Sequence, residues 1–216
     1  MKVNVFNLII LDESGSMDSI KKAAVTGLNE TIQAIQSAQK KHNDLQTHFI
    51  TLVSFNSNGI RTLVENQPAE QVKPIKPQHY VPDVCTPLYD AMGISLSKLR
   101  SQLKQEEENQ VLVTIITDGL ENASKEFTGK MIKNMVQELK GLGWTFVYIG
   151  ANQDVDAVAG SLAIENRMNY EYSSTGFRIM GARNLNAMGN YYEKVSRKKR
   201  GENVELETGY FDLFNE

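Results

Sequence analysis

The chain has 216 residues, with 23 Lys and Arg against 26 Asp and Glu, which gives a formal net charge of −3. Its 41% hydrophobic and 23% charged residues are typical of a globular domain and exclude a disordered or fibrous chain. The slightly acidic balance gives no electrostatic reason to expect nucleic acid as a partner. The single cysteine, Cys85, cannot form an intramolecular disulfide, so a stapled secreted scaffold is excluded.

The amino-terminal segment differs from a signal peptide. Its apolar run over residues 3–11 is interrupted by Asn4 and Asn7, and Asp12-Glu13 ends it without a small-residue cleavage site. No apolar stretch approaches the roughly 20 residues that span a bilayer. We therefore expect a cytoplasmic protein that makes no membrane contact.

The first half of the chain is predicted to contain three strands and one helix. Residues 6–11 and 49–55 are continuous apolar runs, the pattern of strands buried on both faces of a parallel sheet. Between them, residues 20–39 place apolar or small side chains at near-helical spacing and predict an amphipathic helix. The turn sequence Asn-Ser-Asn-Gly then predicts a hairpin, which makes residues 60–65 an antiparallel edge strand. A proline-rich connection over residues 68–82 follows on the surface.

The second half continues the alternation of helices and strands. An apolar stripe predicts a helix over residues 88–103, and a clear buried strand follows at 111–117. Thr128 is placed to cap a helix over residues 131–142, and residues 144–149 predict another buried strand. The remaining predicted elements are a short helix at 152–162, a last edge strand at 167–172 and a final helix at 175–196.

Strands that alternate with helices of this length predict βαβ units. The expected fold class is α/β: a doubly wound, mostly parallel six-stranded sheet with one antiparallel edge strand and helices on both faces. We assign residues 1–200 to this domain and residues 201–216 to an acidic and aromatic C-terminal tail. The aromatic segment 210–214 is either packed against the domain or free to dock on another molecule, because such side chains are costly to expose. We favour packing against the domain.

Polar residues follow the two clearest strands at the points where they end. Asp12, Ser14 and Ser16 come directly after the first strand, and Asp118 follows the strand at 111–117. Ligands of open parallel sheets bind beyond the carboxyl ends of the strands, where the strand order reverses. If these two strands are central neighbours, the carboxylates and hydroxyls meet in one crevice. Such an all-oxygen set suits Mg²⁺ or Mn²⁺ better than Zn²⁺.

The same residues also have a purely structural interpretation. Ser16 or Asp18 would cap the helix that begins near Ile20, and Asp118-Gly119 is a common turn sequence. Taken alone, the two loops are compatible with a metal site and with ordinary turns.

A third part of the sequence, around Thr86, completes a longer pattern with these two loops. The pattern Asp12-x-Ser14-x-Ser16, followed by Thr86 and then by Asp118 within Thr-Asp-Gly, resembles a von Willebrand factor type A (VWA) domain. The five residues match the complete metal ion-dependent adhesion site of that family. The resemblance covers roughly residues 3–195, and the stretches 86–91, 117–122 and 150–154 resemble bacterial single-domain members.

The resemblance implies a bound Mg²⁺ or Mn²⁺ and a role for each of these residues. Ser14 and Ser16 would coordinate the ion directly, and Thr86 would do so directly in a ligand-bound state and otherwise through water. Asp12 and Asp118 would balance the charge, either both holding coordinated waters or with one of them bound directly to the ion. The vacant coordination position would accept a Glu or Asp carboxylate from a partner protein.

One departure from the family pattern concerns the loop before Thr86. Many bacterial members have glycines there, whereas this chain has Val84-Cys85, a bulkier pair that is expected to narrow the approach to the metal. Cys85 itself is expected to be a small packing residue rather than a nucleophile or a ligand, since its soft sulfur matches Mg²⁺ poorly.

Other polar residues in these loops carry weaker expectations. Glu13, Glu121, Asn122 and Asp154 are candidates for a rim that selects partners, although exposed loop polarity explains each of them equally well. Asp90 is expected to pack or to form hydrogen bonds near the third loop rather than to bind metal.

Three functions are compatible with this sequence. The first is a non-enzymatic, Mg²⁺-dependent protein-binding module. The second is a metal-assisted hydrolase, phosphoesterase-like, that uses the same ion as a Lewis acid, although the motif loops supply no general base and no cation for a phosphate. The third, implied by the family, is a regulatory subunit of a bacterial stress-response or ATPase complex. Nucleotide binding is disfavoured because the glycine-rich phosphate-binding patterns are absent from the sequence.

Overall fold

The structure is a computed structural model that describes residues 2–104 and 107–212. Its strands are β1 Val3–Asp12, β2 Gln46–Asn56, β3 Gly59–Pro68, β4 Asn109–Thr117, β5 Trp144–Gly150 and β6 Asn166–Asn169. They form one sheet in the order β3-β2-β1-β4-β5-β6. The β2–β3 pair is antiparallel and the other four pairs are parallel. The predicted α/β sheet with one antiparallel edge strand is therefore confirmed.

Helices cover both faces of this sheet. They are α1 Lys21–Lys41, α2 Leu88–Gln102, α3 Gly129–Gly141, α4 Val155–Ser161 and α5 Ser174–Lys199. Helices α1 and α5 pack with one face of the sheet into one hydrophobic core. Helices α2, α3 and α4 pack with the other face into a second core. None of the helices in the described part of the chain has the length and apolar character needed to cross a membrane.

The central position of β1 explains its uninterrupted apolar sequence. Because successive side chains of a strand point to opposite faces, Ile9 and Leu11 enter one core, while Leu8 and Ile10 enter the other. Both neighbours of β1 are parallel to it, and Leu11 pairs with Ile116 of β4. The ends of β1 and β4 consequently lie side by side at the carboxyl edge of the sheet.

Several element boundaries differ from the sequence prediction. A 3-10 turn over Gly15–Ile20 precedes α1, and the N-terminus of neither element has a side-chain cap. The alternative interpretation, in which Ser16 or Asp18 caps the helix, is therefore wrong. The helix predicted from residue 152 begins at Val155, because the Asp154 carboxylate caps its first turn.

The last strand is also shorter than predicted. Strand β6 ends at Asn169 because the chain then turns toward α5, where the Ser173 hydroxyl accepts a hydrogen bond from the backbone N–H of Gly176 at 2.9 Å. The predicted cap by Thr128 is confirmed, since its hydroxyl accepts a hydrogen bond from the N–H of Met131 at 3.3 Å.

The described part of the C-terminal tail packs against the domain. Leu206 and Tyr210 are buried in the core that contains α1 and α5. The Tyr210 hydroxyl donates a hydrogen bond to Oδ1 of Asn184 on α5 at 3.1 Å, and the Thr145 hydroxyl donates to the Leu206 carbonyl at 3.2 Å. The end of the predicted aromatic segment, residues 213–214, lies outside the described residues.

Candidate metal centre

Three loops meet at the carboxyl edge of the sheet, between β1 and β4. The first follows Asp12 at the end of β1, and the second carries Asp118 directly after β4. The third, residues 80–87, brings Thr86 against the second loop: its Oγ1 lies 3.6 Å from the position that a Cβ on Gly119 would occupy. The predicted convergence of the five residues at one edge is therefore what the fold produces.

Hydrogen bonds connect four of the five residues directly. The N–H of Ser14 donates to Oδ1 of Asp12 at 2.7 Å, and the hydroxyls of Ser14 and Ser16 share a hydrogen bond at 3.2 Å. The Ser16 hydroxyl donates to Oδ1 of Asp118 at 2.8 Å. These bonds aim two hydroxyls and two carboxylates into one small polar space.

Thr86 is fixed beside this group through its backbone. Its N–H donates to Oδ1 of Asn122 at 2.9 Å, and its carbonyl accepts from the N–H of Asn122 at 3.1 Å. Thr86 is buried, and its hydroxyl faces Gly119. Asn122, expected at a partner-selecting rim, therefore holds the third loop against the second.

The donor chemistry of the site fits a hard divalent cation. Asp12 and Asp118 are buried at 0% and 1% exposure, and Oδ2 of Asp118 has no hydrogen-bond partner among the described residues. A buried carboxylate oxygen without a partner is costly, and a cation or a water held by one would satisfy it. Carboxylate and hydroxyl oxygens are ligands that Mg²⁺ accepts. The described residues contain no group of three His, Cys, Asp or Glu side chains placed to hold a metal, so a site here depends on hydroxyl ligands.

Burial disfavours the ionised form of both carboxyl groups. Burial raises the pKa of Asp12 from its ordinary 3.8 to about 6, against the opposing effect of hydrogen bonds from Thr117 and Ser14. Burial likewise raises the pKa of Asp118, and its hydrogen bond from Ser16 opposes that shift. A cation placed between the two groups would favour their charged forms.

Two residues, Thr117 and Tyr172, make hydrogen bonds in this site that the sequence analysis did not predict. The Thr117 hydroxyl donates to Oδ2 of Asp12 at 2.6 Å, and it also accepts from the N–H of Gly119 at 3.2 Å. The Tyr172 hydroxyl donates to the carbonyl of Ser16. Thr117 lies within the recognised motif, so its position was a usable signal. Tyr172 is 156 residues from Ser16, and no local pattern identifies such a contact.

The other residues expected at the rim have internal roles. Glu13 is buried at 1% exposure, where its carboxylate pairs with Arg61 and accepts the N–H of Val81, so it does not line the rim. Glu121 accepts hydrogen bonds from the backbone N–H groups of residues 89, 123 and 124. The prediction for Asp90 is confirmed, since its carboxylate accepts the backbone N–H groups of residues 125, 126 and 127.

The loop before Thr86 corrects one expectation. Cys85 is exposed rather than packed, although its N–H donates to the Ser57 hydroxyl at 3.2 Å. Val84 has a φ of 53° and a side chain that is 44% exposed. The bulky pair that departs from the family pattern therefore faces solvent at the edge of the site.

Comparison with solved structures identifies the fold. No protein-family model and no curated protein matches this sequence. The pilus adhesin SpaC from Lactobacillus rhamnosus GG is similar with a TM-score of 0.62 and 15% identity, over 90% of this chain and 31% of that one. Proximal thread matrix protein 1 from the mussel byssus, in a structure with a zinc-occupied metal ion-dependent adhesion site, has a TM-score of 0.56 and 13% identity, over 87% and 46% of the two chains.

A third structure is of comparable size. The SpRpn10 VWA domain has a TM-score of 0.51 and 12% identity, over 85% of this chain and 94% of that one. The chain thus spans less than half of the first two structures and nearly all of the third. At these identities the likeness establishes the fold alone, and the fold of this chain is VWA-like.

Proposed function

We propose that this chain is a non-enzymatic, Mg²⁺-dependent protein-binding module. The observation that most supports this function is the convergence of the hydroxyls of Ser14, Ser16 and Thr86 with the buried carboxylates of Asp12 and Asp118. A metal-occupied adhesion site in a protein of the same fold supports a divalent cation and adhesive binding in general terms.

The proposed division of labour follows from charge. Ser14, Ser16 and Thr86 supply neutral oxygens to the ion, while Asp12 and Asp118 accept hydrogen bonds from its waters and balance its charge. An ion with few anionic direct ligands remains electrophilic, and Mg²⁺ commonly keeps waters that an incoming ligand replaces. We propose that a Glu or Asp carboxylate of a partner protein takes that position. The cytoplasmic location and a role in a bacterial stress-response or ATPase complex stay predictions from the sequence.

The hydrogen bonds around the site favour binding over hydrolysis. In the described residues, the partners of the five side chains are hydroxyl, carboxylate and backbone groups. A phosphoesterase would also use a cationic side chain beside the phosphate, and none of these described hydrogen-bond partners is cationic.

Titration calorimetry with Mg²⁺ tests the assignment. The double variant Ser14→Ala, Ser16→Ala is expected to lose at least tenfold in Mg²⁺ affinity while keeping the circular dichroism spectrum of the folded protein. Ser37→Ala is the matched control, because Ser37 is exposed on α1 and its hydroxyl bonds only to the carbonyl of Gln33. Undiminished Mg²⁺ binding in the double variant would show that the metal site is elsewhere.

The hydrolase alternative needs a separate measurement. Turnover of a panel of phosphoesters by the wild-type protein, lost in Asp12→Ala, would replace the binding function by a hydrolytic one. We expect no turnover in either protein.

A further inference from the structure

Three of the seven large apolar residues that are exposed in the described part of the chain belong to the loops of the candidate metal centre. Among the described residues, the large apolar side chains that are exposed include Val81, Val84 and Leu120, with 50%, 44% and 56% exposure. Val81 and Val84 belong to the loop that carries Thr86, and Leu120 follows Asp118-Gly119 in the second loop. Exposed apolar side chains beside a polar site are a common feature of surfaces that bind proteins.

Val84 is held in a backbone conformation that its side chain disfavours. Its φ of 53° lies in the left-handed region, where glycine and asparagine are common and β-branched residues are strained. The other non-glycine residues with positive φ in the described chain are two asparagines and one alanine. Backbone strain of this kind tends to occur at functional sites, where the surrounding structure imposes it.

Hydrogen bonds on both sides impose this conformation on Val84. Its carbonyl accepts the N–H of Gly15, between the two serines of the site, at 3.0 Å. The N–H of Asp83 donates to the Glu13 carbonyl at 3.0 Å, and the Cys85 carbonyl accepts the N–H of Ser57 at 3.0 Å. A glycine at this position would make the same backbone bonds without strain. What valine adds is an apolar side chain, presented to solvent next to the metal loop.

Leu120 belongs to the second loop of the site, directly after Asp118-Gly119. The preceding Gly119 lies against the Thr86 hydroxyl, and the carbonyl of Val84 accepts the N–H of Gly15, so both apolar residues lie at or next to backbone that touches the site. A partner carboxylate that reaches the cation has its neighbouring side chain close to these two groups. A cation bound at the site would form one composite surface with these two exposed apolar residues.

We propose that Val84 and Leu120 select the partner sequence by contacting an aliphatic side chain next to the partner's carboxylate. This inference rests on the proposed function and specifies its ligand: an acidic residue adjacent to a leucine, isoleucine or valine. Burial of one aliphatic side chain at such a surface is worth roughly fivefold to tenfold in affinity.

Blocked tetrapeptides serve as the probes in an NMR titration of the full chain with saturating Mg²⁺. The three sequences are Gly-Leu-Asp-Gly, Gly-Gly-Asp-Gly and Gly-Leu-Asn-Gly, each acetylated and amidated. We expect Gly-Leu-Asp-Gly to bind about fivefold tighter than Gly-Gly-Asp-Gly. The asparagine peptide in Mg²⁺ should bind only as weakly as the two acidic peptides bind when EDTA removes the Mg²⁺. Because Cys85 is exposed beside Val84, Gly-Leu-Asp-Gly is also expected to slow alkylation of its thiol by N-ethylmaleimide.

The double variant Val84→Gly, Leu120→Ser is expected to keep its affinity for Mg²⁺ and for Gly-Gly-Asp-Gly. The ratio of its affinities for Gly-Leu-Asp-Gly and Gly-Gly-Asp-Gly should fall to about one. Leu142→Ser is the matched control, since Leu142 is 60% exposed at the end of α3, away from the site, and it should leave the preference unchanged.

Three outcomes contradict the inference, and they distinguish its failure from that of the proposed function. Mg²⁺-dependent binding of both acidic peptides with equal affinity, or a preference that survives in the double variant, overturns the selection by Val84 and Leu120 alone. If neither acidic peptide binds in a Mg²⁺-dependent manner, the proposed function fails and this inference fails with it.

Discussion

The Ser16 hydroxyl donates a hydrogen bond to Oδ1 of Asp118 at 2.8 Å, which joins two loops that are 102 residues apart in the sequence. The bond leaves Oδ2 of Asp118 buried and without a partner among the described residues. Because the fold fixes one oxygen of this carboxylate, the other is held in position for a ligand from outside the chain. The same bond keeps a lone pair of the Ser16 oxygen available to that ligand.

Replacement of Asp118 by asparagine separates the charge of this group from its hydrogen bond. Asp118→Asn can keep the hydrogen bond from Ser16. It removes a carboxyl group whose ionised form is disfavoured by burial, as the raised pKa of Asp118 indicates. We expect stability to be unchanged or higher in the metal-free protein, and Mg²⁺ affinity to fall at least tenfold. Calorimetry and urea unfolding measure the two effects. Asp44→Asn, at an exposed carboxylate in the turn before β2, is the control; an equal loss of Mg²⁺ affinity in it would contradict a local effect.

The raised pKa of Asp12 predicts two pH dependences. The folded protein binds a proton at Asp12 more tightly than the unfolded chain, so in the metal-free protein this group's contribution to stability is highest below its ordinary pKa of 3.8 and decreases as the pH rises toward about 6. The decrease is on the order of 3 kcal/mol. Mg²⁺ binding requires the ionised form, so Mg²⁺ affinity should weaken about tenfold for each pH unit below 6.

Urea unfolding of the metal-free protein between about pH 4 and about pH 7 measures the first effect, and calorimetry over the same range measures the second. Asp12→Asn should remove this part of the stability profile, because the amide does not titrate. A profile that is the same in the variant and the wild type would show that Asp12 titrates at its ordinary pKa.

The sequence was sufficient for the fold because each buried strand carries its own signal. The apolar run of β1 reflects two cores that its alternate side chains enter, and the turn before Gly59 specified the antiparallel β3. It also predicted that Asp12, Ser14 and Ser16 meet Asp118, since the ends of neighbouring parallel strands share an edge. Thr86 does not follow a strand of the parallel sheet, and only the resemblance to the VWA family indicated it.

Other features depend on contacts between distant segments, which local patterns do not record. Tyr172 donates its hydroxyl hydrogen to the Ser16 carbonyl from just before α5, and Asn122 fixes Thr86 from the second loop. The sequence predicted an exposed Glu13 and a packed Cys85, and both predictions are wrong. Glu13 is buried in an ion pair with Arg61, which belongs to a distant segment, and Cys85 is exposed.

Thr117 is expected to position Asp12 for metal binding. Its hydroxyl donates to Oδ2 of Asp12, so the nearly isosteric Thr117→Val leaves that buried oxygen unpaired. We expect a loss of about 1–3 kcal/mol in the free energy of unfolding. Loss of this hydrogen bond also raises the pKa of Asp12 further, so the pH at which Mg²⁺ affinity declines should shift upward. Thr62→Val, on the exposed edge strand, should change neither quantity; a fixed midpoint in Thr117→Val would exclude the positioning role.

Asp90 is expected to hold the segment that follows the second metal loop. Its nearly buried carboxylate accepts three backbone N–H groups at 2.7–2.9 Å, so Asp90→Ala leaves three donors without their partner. We predict a loss of about 2–4 kcal/mol in the free energy of unfolding, measured with urea. Asp156→Ala is the control, since Asp156 is exposed and its ion pair with Arg167 lies at the surface. Similar losses in both variants would show that the hydrogen bonds of Asp90 are worth no more than a surface ion pair.

Replacement of the strained Val84 is expected to increase stability, in contrast to the losses predicted for Thr117 and Asp90. Asparagine tolerates the left-handed region better than a β-branched residue, and Val84→Asn keeps every backbone hydrogen bond of the loop. We expect the free energy of unfolding to rise by about 1 kcal/mol, since a residue strained in this way costs roughly that amount. Val81→Asn is the matched control, because Val81 is 50% exposed in the same loop but its φ is not positive, and no gain is expected there.

If the role of valine at this position is to contact the partner, Val84→Asn should gain stability and at the same time reduce the preference for a leucine beside the partner carboxylate. A stabilised variant with an unchanged preference would separate the strain from recognition and leave Val84 without a role in partner selection.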